Sequence, residues 1–275
     1  MARMSVRPHL TATGRRKGDP PPAYLLALEP GRMGLEFGAF LAFRPLLQFA
    51  PRGDGHRVLV LPGLLTGDES TMALRQYLRS LGYVVGGWKL GQNIGPTGEI
   101  MQGMRDRFDR LVQHAGSKIS IIGWSLGGLY ARELARNHPE SIRQVITMGT
   151  PFRLVRPTQS RASRAFDRYS HLHVVPEDLP EWQRPDEPLE VPATAIYSRT
   201  DGIVAWHTCM DTAGPKRENI EVRGSHCGLC HNPAVLYAVA DRLAQPEGAW
   251  RRFRPPSVLR PFYPIPHAWR PMDDE

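Results

Sequence analysis

ISIIGWSLGG, residues Ile119 to Gly128, is the stretch on which the reading of the fold turns. An apolar run of strand length stops at Gly123, Trp124 and Ser125 follow, and the pattern LYARELARNH then has helical spacing. A strand that runs straight into a helix across G-x-S-x-G must turn so sharply that its serine is strained. Gly123 and Gly127, which lack a Cβ, relieve the crowding. The turn carries the Ser125 hydroxyl past the carboxyl edge of the sheet, toward the unpaired N–H groups of the next helix. A phosphate-cradling loop would need G-x-G-x-x-G or a closing Lys-Ser/Thr, and neither is present.

Working outward, strand-like and helix-like segments alternate. His56–Gly63, HRVLVLPG, is an apolar run ended by Pro-Gly. Leu74, Tyr77, Leu78 and Leu81 then share one helical face, which Gly82 closes. YVVGGW reads as a second strand. Met101, Met104, Phe108 and Leu111 mark a second helix that stops at Gly116. RQVITMGTPF, VPATAIYSRTDG and NIEVRGSH supply later strands, and Asn232-Pro233 opens a closing helix with Asn as its cap. Such alternation predicts an α/β fold, a mostly parallel sheet with helices on both faces.

Three divisions are expected. Residues 1–52 form a basic tail and an amphipathic helix that wraps the core or closes over a pocket. Residues 53–245 form the α/β domain, with a Pro- and charge-rich lid or cap inserted at 153–188. Residues 246–275 form a Pro/Arg-rich extension. The helix is expected in the apolar segment Gly34–Ala50, which Glu36, Arg44 and Pro45 interrupt and which is short for a bilayer span.

Of the net charge of +8, half comes from residues 1–19, through Arg3, Arg7, Arg15, Arg16 and Lys17 against Asp19. No recognition helix, RNP aromatic pattern or paired Cys/His finger accompanies it, so nucleic-acid binding is not expected. The charge supports at most a solubilising tail or one that weakly seeks RNA or a membrane, so a weak peripheral membrane contact stays open. The N-terminus has no apolar core of a signal peptide, which makes a cytoplasmic location the expectation.

A serine hydroxyl needs a base within hydrogen-bonding reach and an acid to orient that base. On a parallel sheet these come from loops at the carboxyl ends of later strands. YSRTDGIV offers Asp201, and RGSHCG offers His226, giving the chain order Ser, Asp, His. His231 is the main rival base and Asp211 the rival acid. His171 and His173 read as surface residues of the insertion, and His207 as packing or rim. Developing negative charge on an oxyanion would meet the backbone N–H of Leu126 and that of Leu64, in the loop after the first strand. Losing one such donor costs about 3 kcal/mol of barrier.

Pro62-Gly63-Leu64-Leu65, the Gly123–Gly128 turn, Gly149-Thr150-Pro151-Phe152, Asp201 and His226 together give a chain that resembles, over about residues 56–245, the α/β-hydrolase superfamily and within it the bacterial serine lipases and esterases. Their turn usually reads G-H-S-x-G; Trp124 stands here in place of that histidine and is expected to alter the pocket wall. The resemblance implies hydrolysis of an apolar, lipid-like carboxylic ester through an acyl-enzyme, without a cofactor. One glycine followed by a bulky residue in the oxyanion loop resembles the type that accepts medium or long acyl chains. Transfer of the acyl group to another alcohol or amine would use the same residues, and a non-catalytic ligand-binding role is the remaining alternative.

Cys209, Cys227 and Cys230 are too few for a disulfide framework. HCGLCH lacks the ligand supply of a structural zinc site if His226 is a base, so no metal is expected. If the Asp201 and His226 loops lie side by side, a Cys209–Cys227 bridge could brace them; buried inert thiols are the alternative.

Overall fold

A computed structural model describes residues 20–154, 156–174 and 187–264. Its centre is a six-stranded sheet formed by β1 (Arg57–Leu61), β2 (Val84–Gly87), β3 (Ile119–Trp124), β4 (Ile142–Met148), β5 (Ala193–Ser198) and β6 (Arg217–Val222), in the order β2-β1-β3-β4-β5-β6. Every pairing is parallel. The chain first winds outward from β1 to β2 and then returns to place β3 on the other side of β1. The winding therefore reverses between β1 and β3, the position in such sheets where a crevice opens at the carboxyl edge.

The period of two along the strands sorts the core into two layers. Val58, Val60, Ile122 and Ile146 face one side, where they meet α1 (Ala23–Leu47), α2 (Met72–Ser80) and α6 (Pro233–Leu243). Leu59, Leu61, Ile121 and Val145 face the other, against α3 (Gly98–Gln113) and α4 (Leu126–Asn137). Because both faces are covered, the central strands β1 and β3 read as near-continuous apolar runs. Asn232 caps its helix as the sequence predicts, and Thr97, which the sequence reading does not name, caps α3. The Thr97 side chain accepts from Ile100 N, and Asn232 accepts from Ala234 N and Val235 N ahead of Pro233.

Two expectations about the N-terminal helix need correction. It begins at Ala23, eleven residues before the segment read from sequence, and runs through Pro30. Its faces are also not sorted by polarity, although Leu25, Phe40 and Leu47 are buried. Glu29 is buried and Glu36 half-buried against the core, whereas Tyr24, Leu28, Leu35 and Leu46 face outward. No helix among the described residues is long and apolar enough to cross a membrane.

The insertion between β4 and β5 is described in part; residues 155 and 175–186 of the expected lid, like the tail 1–19 and the end of the C-terminal extension, lie outside the described residues. What is described holds a 3₁₀ turn, Pro157–Gln159, and the short α5 (Ser163–Asp167). Backbone hydrogen bonds tie it to the core on two sides, from Val174 N to Pro96 O (2.9 Å) and from Arg161 N to Ile203 O (2.8 Å).

Candidate active site

Register brings the loops together. Leu61 pairs with Gly123, which sets Pro62 and Gly63 beside Trp124 and Ser125. Ser198 pairs with Val222, which sets the loop after β5 beside the loop after β6. Ser198 Oγ donates to Gly224 O (2.7 Å), and the Thr200 hydroxyl donates to the same carbonyl (3.1 Å), tying those two loops across their bases.

Ser125 sits between β3 and α4 at φ 53°, ψ −122°. For a residue with a Cβ this is strained backbone. The surroundings enforce it. A Cβ on Gly123 would collide with the backbone of Gly127 and Gly128, and one on Gly127 with the carbonyls of Leu61 and Pro62.

The structure brings three of the sequence-selected side chains into a chain of contacts. Ser125 Oγ lies 3.0 Å from His226 Nε2, and His226 Nδ1 lies 2.6 Å from Asp201 Oδ2. The other carboxylate oxygen of Asp201 accepts from Ile203 N and Val204 N, both at 2.8 Å, which fixes the side chain's rotation. Burial opposes a charge on His226. The charge and hydrogen bond of Asp201, reinforced by the charge of Glu29, outweigh it and hold the imidazole above its ordinary value.

Leu64 and Leu126 both flank Ser125 at the wall of one cavity. A Cβ on Gly63 would lie 3.2 Å from that of Ser125, so this loop passes directly over the serine. The N–H of Leu65, the next residue, donates to Asn93 O (2.7 Å). Asn93 is fully buried. Its side chain donates to Pro62 O (2.9 Å) and accepts from Tyr130 Oη (3.2 Å), so it pins the loop from behind. Nothing in the sequence singled it out, because its partners lie some 30 residues away on either side.

The cavity above Ser125 has a volume near 360 Å³, within the range of small-molecule sites. Leu129, Leu154, Phe166 and Val204 make its walls apolar. The described part of the insertion supplies one wall, through Ser160, Ala162, Ser163 and Phe166. No residue of α1 lines this cavity, so the expected closure of a pocket by that helix is corrected. Trp124 does not line it either. Its ring packs in the core, and its Nε1 donates to His226 O (3.1 Å), so it braces the base loop rather than a pocket wall.

The rivals are held elsewhere. His231 Nε2 lies 3.1 Å from Met33 O, with its ring edge against Phe37. Asp211 forms a buried ion pair with Arg132 (2.9 Å). His207 Nε2 lies 3.3 Å from the Gln159 side-chain amide. His173, read as a surface residue, is half-buried. Its Nε2 lies 2.9 Å from Ile94 O and its ring rests on Phe166. The three cysteines are free thiols, so the Cys209–Cys227 bridge is not formed. Burial raises Cys209 and Cys230, and burial together with the charge of Glu29 pushes Cys227 up to about 12.

A second Ser–His–Asp set lies at the opposite, amino edge of the sheet. His56 Nε2 is 2.8 Å from Ser120 Oγ, and His56 Nδ1 is 2.5 Å from Asp54 Oδ1, which also binds Arg143 through its other oxygen (2.7 Å). Ser120 is 0 % exposed inside β3 and has no turn to present it. Burial lowers the affinity of His56 for a proton. Replacing Ser120 with alanine is expected to leave reaction with a fluorophosphonate unchanged while costing about 1 kcal/mol of stability, the net worth of one buried hydrogen bond. Loss of labelling in a folded Ser120→Ala protein would contradict the assignment of the site to Ser125.

Sequence comparison gives no match to any protein-family model. No curated protein matches either. Solved structures do match. One of the metagenome-derived lipolytic enzymes LipS and LipT superposes with a TM-score of 0.51 at 15% identity, over 70% of this chain and 94% of the other. Lipase B of Aspergillus fumigatus superposes with a TM-score of 0.53 at 14% identity, over 72% of this chain and 54% of the other. At such identities the likeness is one of fold.

Proposed function

Because this chain has the α/β-hydrolase fold, we propose that it is a serine hydrolase of apolar carboxylic esters, with Ser125 as nucleophile, His226 as general base and Asp201 as the acid that orients it. The observation that carries this reading is the 3.0 Å approach of Ser125 Oγ to His226 Nε2 at the floor of an apolar cavity.

In the first step Ser125 Oγ attacks the ester carbonyl while His226 Nε2 takes its proton. The carbonyl oxygen becomes an oxyanion, stabilised by the N–H groups of Leu64 and Leu126. Asp201 stays ionised and accepts from Nδ1–H, which stabilises the imidazolium. His226 then returns its proton to the leaving alkoxide, and the carbonyl re-forms as an acyl-enzyme. Water, deprotonated by the same Nε2, attacks the acyl carbon; the proton passes back to Ser125 and the carboxylic acid leaves. The acyl chain lies against Leu129, Leu154, Phe166 and Val204.

Steady-state hydrolysis of p-nitrophenyl esters of increasing acyl length tests this. kcat/KM is expected to be higher for octanoate than for acetate, since each methylene buried contributes about 0.8 kcal/mol. An absence of turnover on the whole series would contradict the reading. The pH profile is a second check. Only neutral His226 can accept the proton, so kcat/KM rises as pH passes upward through its pKa. That pKa is raised, so the midpoint is expected above 6.5; a midpoint below it would contradict the proposed role of Asp201.

A further inference from the structure

α1 (Ala23–Leu47) carries its charges on the wrong side for a helix that faces only water. Tyr24, Leu28, Leu35 and Leu46 fall on one outward stripe, with Gly31, Gly38 and Ala42 between them, and Phe49 extends it past the helix end. Leu35 is 77 % exposed and Leu46 is 63 % exposed. Every charged residue of the helix (Glu29, Arg32, Glu36, Arg44) lies off this stripe. A contiguous apolar face of this length marks an interaction surface. The charge around it says with what. Arg15, Arg16 and Lys17 precede the helix in sequence, and Arg44 and Arg52 are exposed at its far end. A second copy would bring a second net charge of +8 against the first. Residues 1–19 are too poor in large apolar side chains to cover the stripe. An anionic bilayer satisfies both features, taking the apolar side chains below its headgroups and the cations among them. We propose that α1 lies flat on an anionic lipid surface through this stripe. At 25 residues it spans about 37 Å along that surface.

Co-sedimentation of the full chain with phosphatidylcholine vesicles, with and without phosphatidylserine, tests this independently of catalysis. The native protein is expected to pellet with the phosphatidylserine vesicles. The double variant Leu35→Glu/Leu46→Glu, altered only at exposed positions, is expected to lose that binding by about tenfold or more with an unchanged melting curve. Failure of the native protein to bind, binding that the double variant retains, or a native dimer that the double variant dissolves without any vesicle binding would each overturn the proposal.

The inner side of the same helix carries a separate inference. Glu29 is 3 % exposed, and its carboxylate accepts from Gly202 N (2.9 Å) and His226 N (3.0 Å) on one oxygen and from Cys227 N (2.9 Å) on the other. Those N–H groups adjoin Asp201 and belong to His226 itself. Arg32, one turn on, donates to Thr200 O (2.7 Å), and Glu36 accepts from Ser225 N (2.6 Å). One helix thus grips both loops. We infer that Glu29 is a positioning residue that holds the acid and base loops in register; this rests on the esterase reading. Asp201 from the loop after β5 and Glu29 from α1 are the charged groups facing His226, with the Cys227 thiol beside them. Glu29→Gln keeps an acceptor oxygen but removes the charge, and Glu29→Ala removes both. In an enzyme whose native form hydrolyses esters, kcat is expected to fall about tenfold in Gln and further in Ala, with KM little changed. The acidic limb of kcat/KM is expected to move to lower pH in both. An active native enzyme with folded Glu29 variants matching it in kcat and pH limb would overturn this inference; an inactive native enzyme would overturn the esterase reading on which it rests.

Discussion

Substituting alanine for Ser125 is expected to lower kcat for ester hydrolysis on the order of 10⁵–10⁶-fold while leaving the fold intact. The size of the loss follows from the chemistry. Without Oγ no acyl-enzyme can form, and the oxyanion donors and the cavity retain only a residual effect on direct attack by water. Stability should move the other way for a different variant. Ser125 is held at φ 53°, where a Cβ is strained. Ser125→Gly removes that strain and is expected to stabilise the protein by about 1 kcal/mol, offset in part by the freedom glycine gains in the unfolded chain. A protein made more stable and inactive by one change is the signature of strain kept for function. Thermal melts of the native, Ala and Gly proteins, run beside p-nitrophenyl ester kinetics, check both halves. Retained turnover in Ser125→Ala would place the nucleophile elsewhere.

Asp201→Asn is the second large effect, with an expected loss in kcat of about 10⁴-fold. The reason lies in the fixed rotation of the side chain. One oxygen of Asp201 accepts from two backbone N–H groups, Ile203 and Val204. In the Asn variant that position must remain the carbonyl oxygen, so the amide NH₂ is turned toward His226 Nδ1. The imidazole is then driven to the tautomer with its proton on Nε2, where it cannot accept from Ser125. Raising pH does not restore activity, because the fault is in the tautomer and not in the charge. Kinetics from about pH 6 to about pH 9, a window that reaches some two units above an ordinary histidine pKa, distinguish this from a simple pKa change. Recovery of near-native kcat at high pH would contradict the argument.

How far the sequence speaks depends on the range of the interaction. Strand–turn–helix at Ile119–Gly128 is legible because the constraint is local: two glycines are needed within a few residues of one serine. The order Ser125, Asp201, His226 is legible because parallel strands deliver successive loops to one edge. Choosing His226 over His231 is less secure from spacing alone. In the structure His231 Nε2 meets Met33 O, whereas His226 Nε2 meets Ser125 Oγ. The N-terminal helix was the least legible. A proline inside a helix forfeits one backbone bond, yet the helix runs through both Pro30 and Pro45. Periodicity tells which residues share a face but not which face is buried, and so gives Glu29 and Glu36 no role. Their partners, Gly202, Ser225 and His226, lie more than 170 residues away in the chain. A shorter but still non-local separation hides Asn93, which makes hydrogen bonds to Pro62 O, Leu65 N and Thr66 O of the loop after β1.

The central claim is that Ser125 is the one serine primed for covalent capture, and it is tested most directly by mapping the adduct. Treat the full chain with a fluorophosphonate, digest it, and locate the added mass by peptide sequencing in the mass spectrometer. The account predicts a single phosphonylated residue, Ser125, and no adduct on the same peptide in His226→Ala. An adduct on another residue, or none on the native protein, would contradict it.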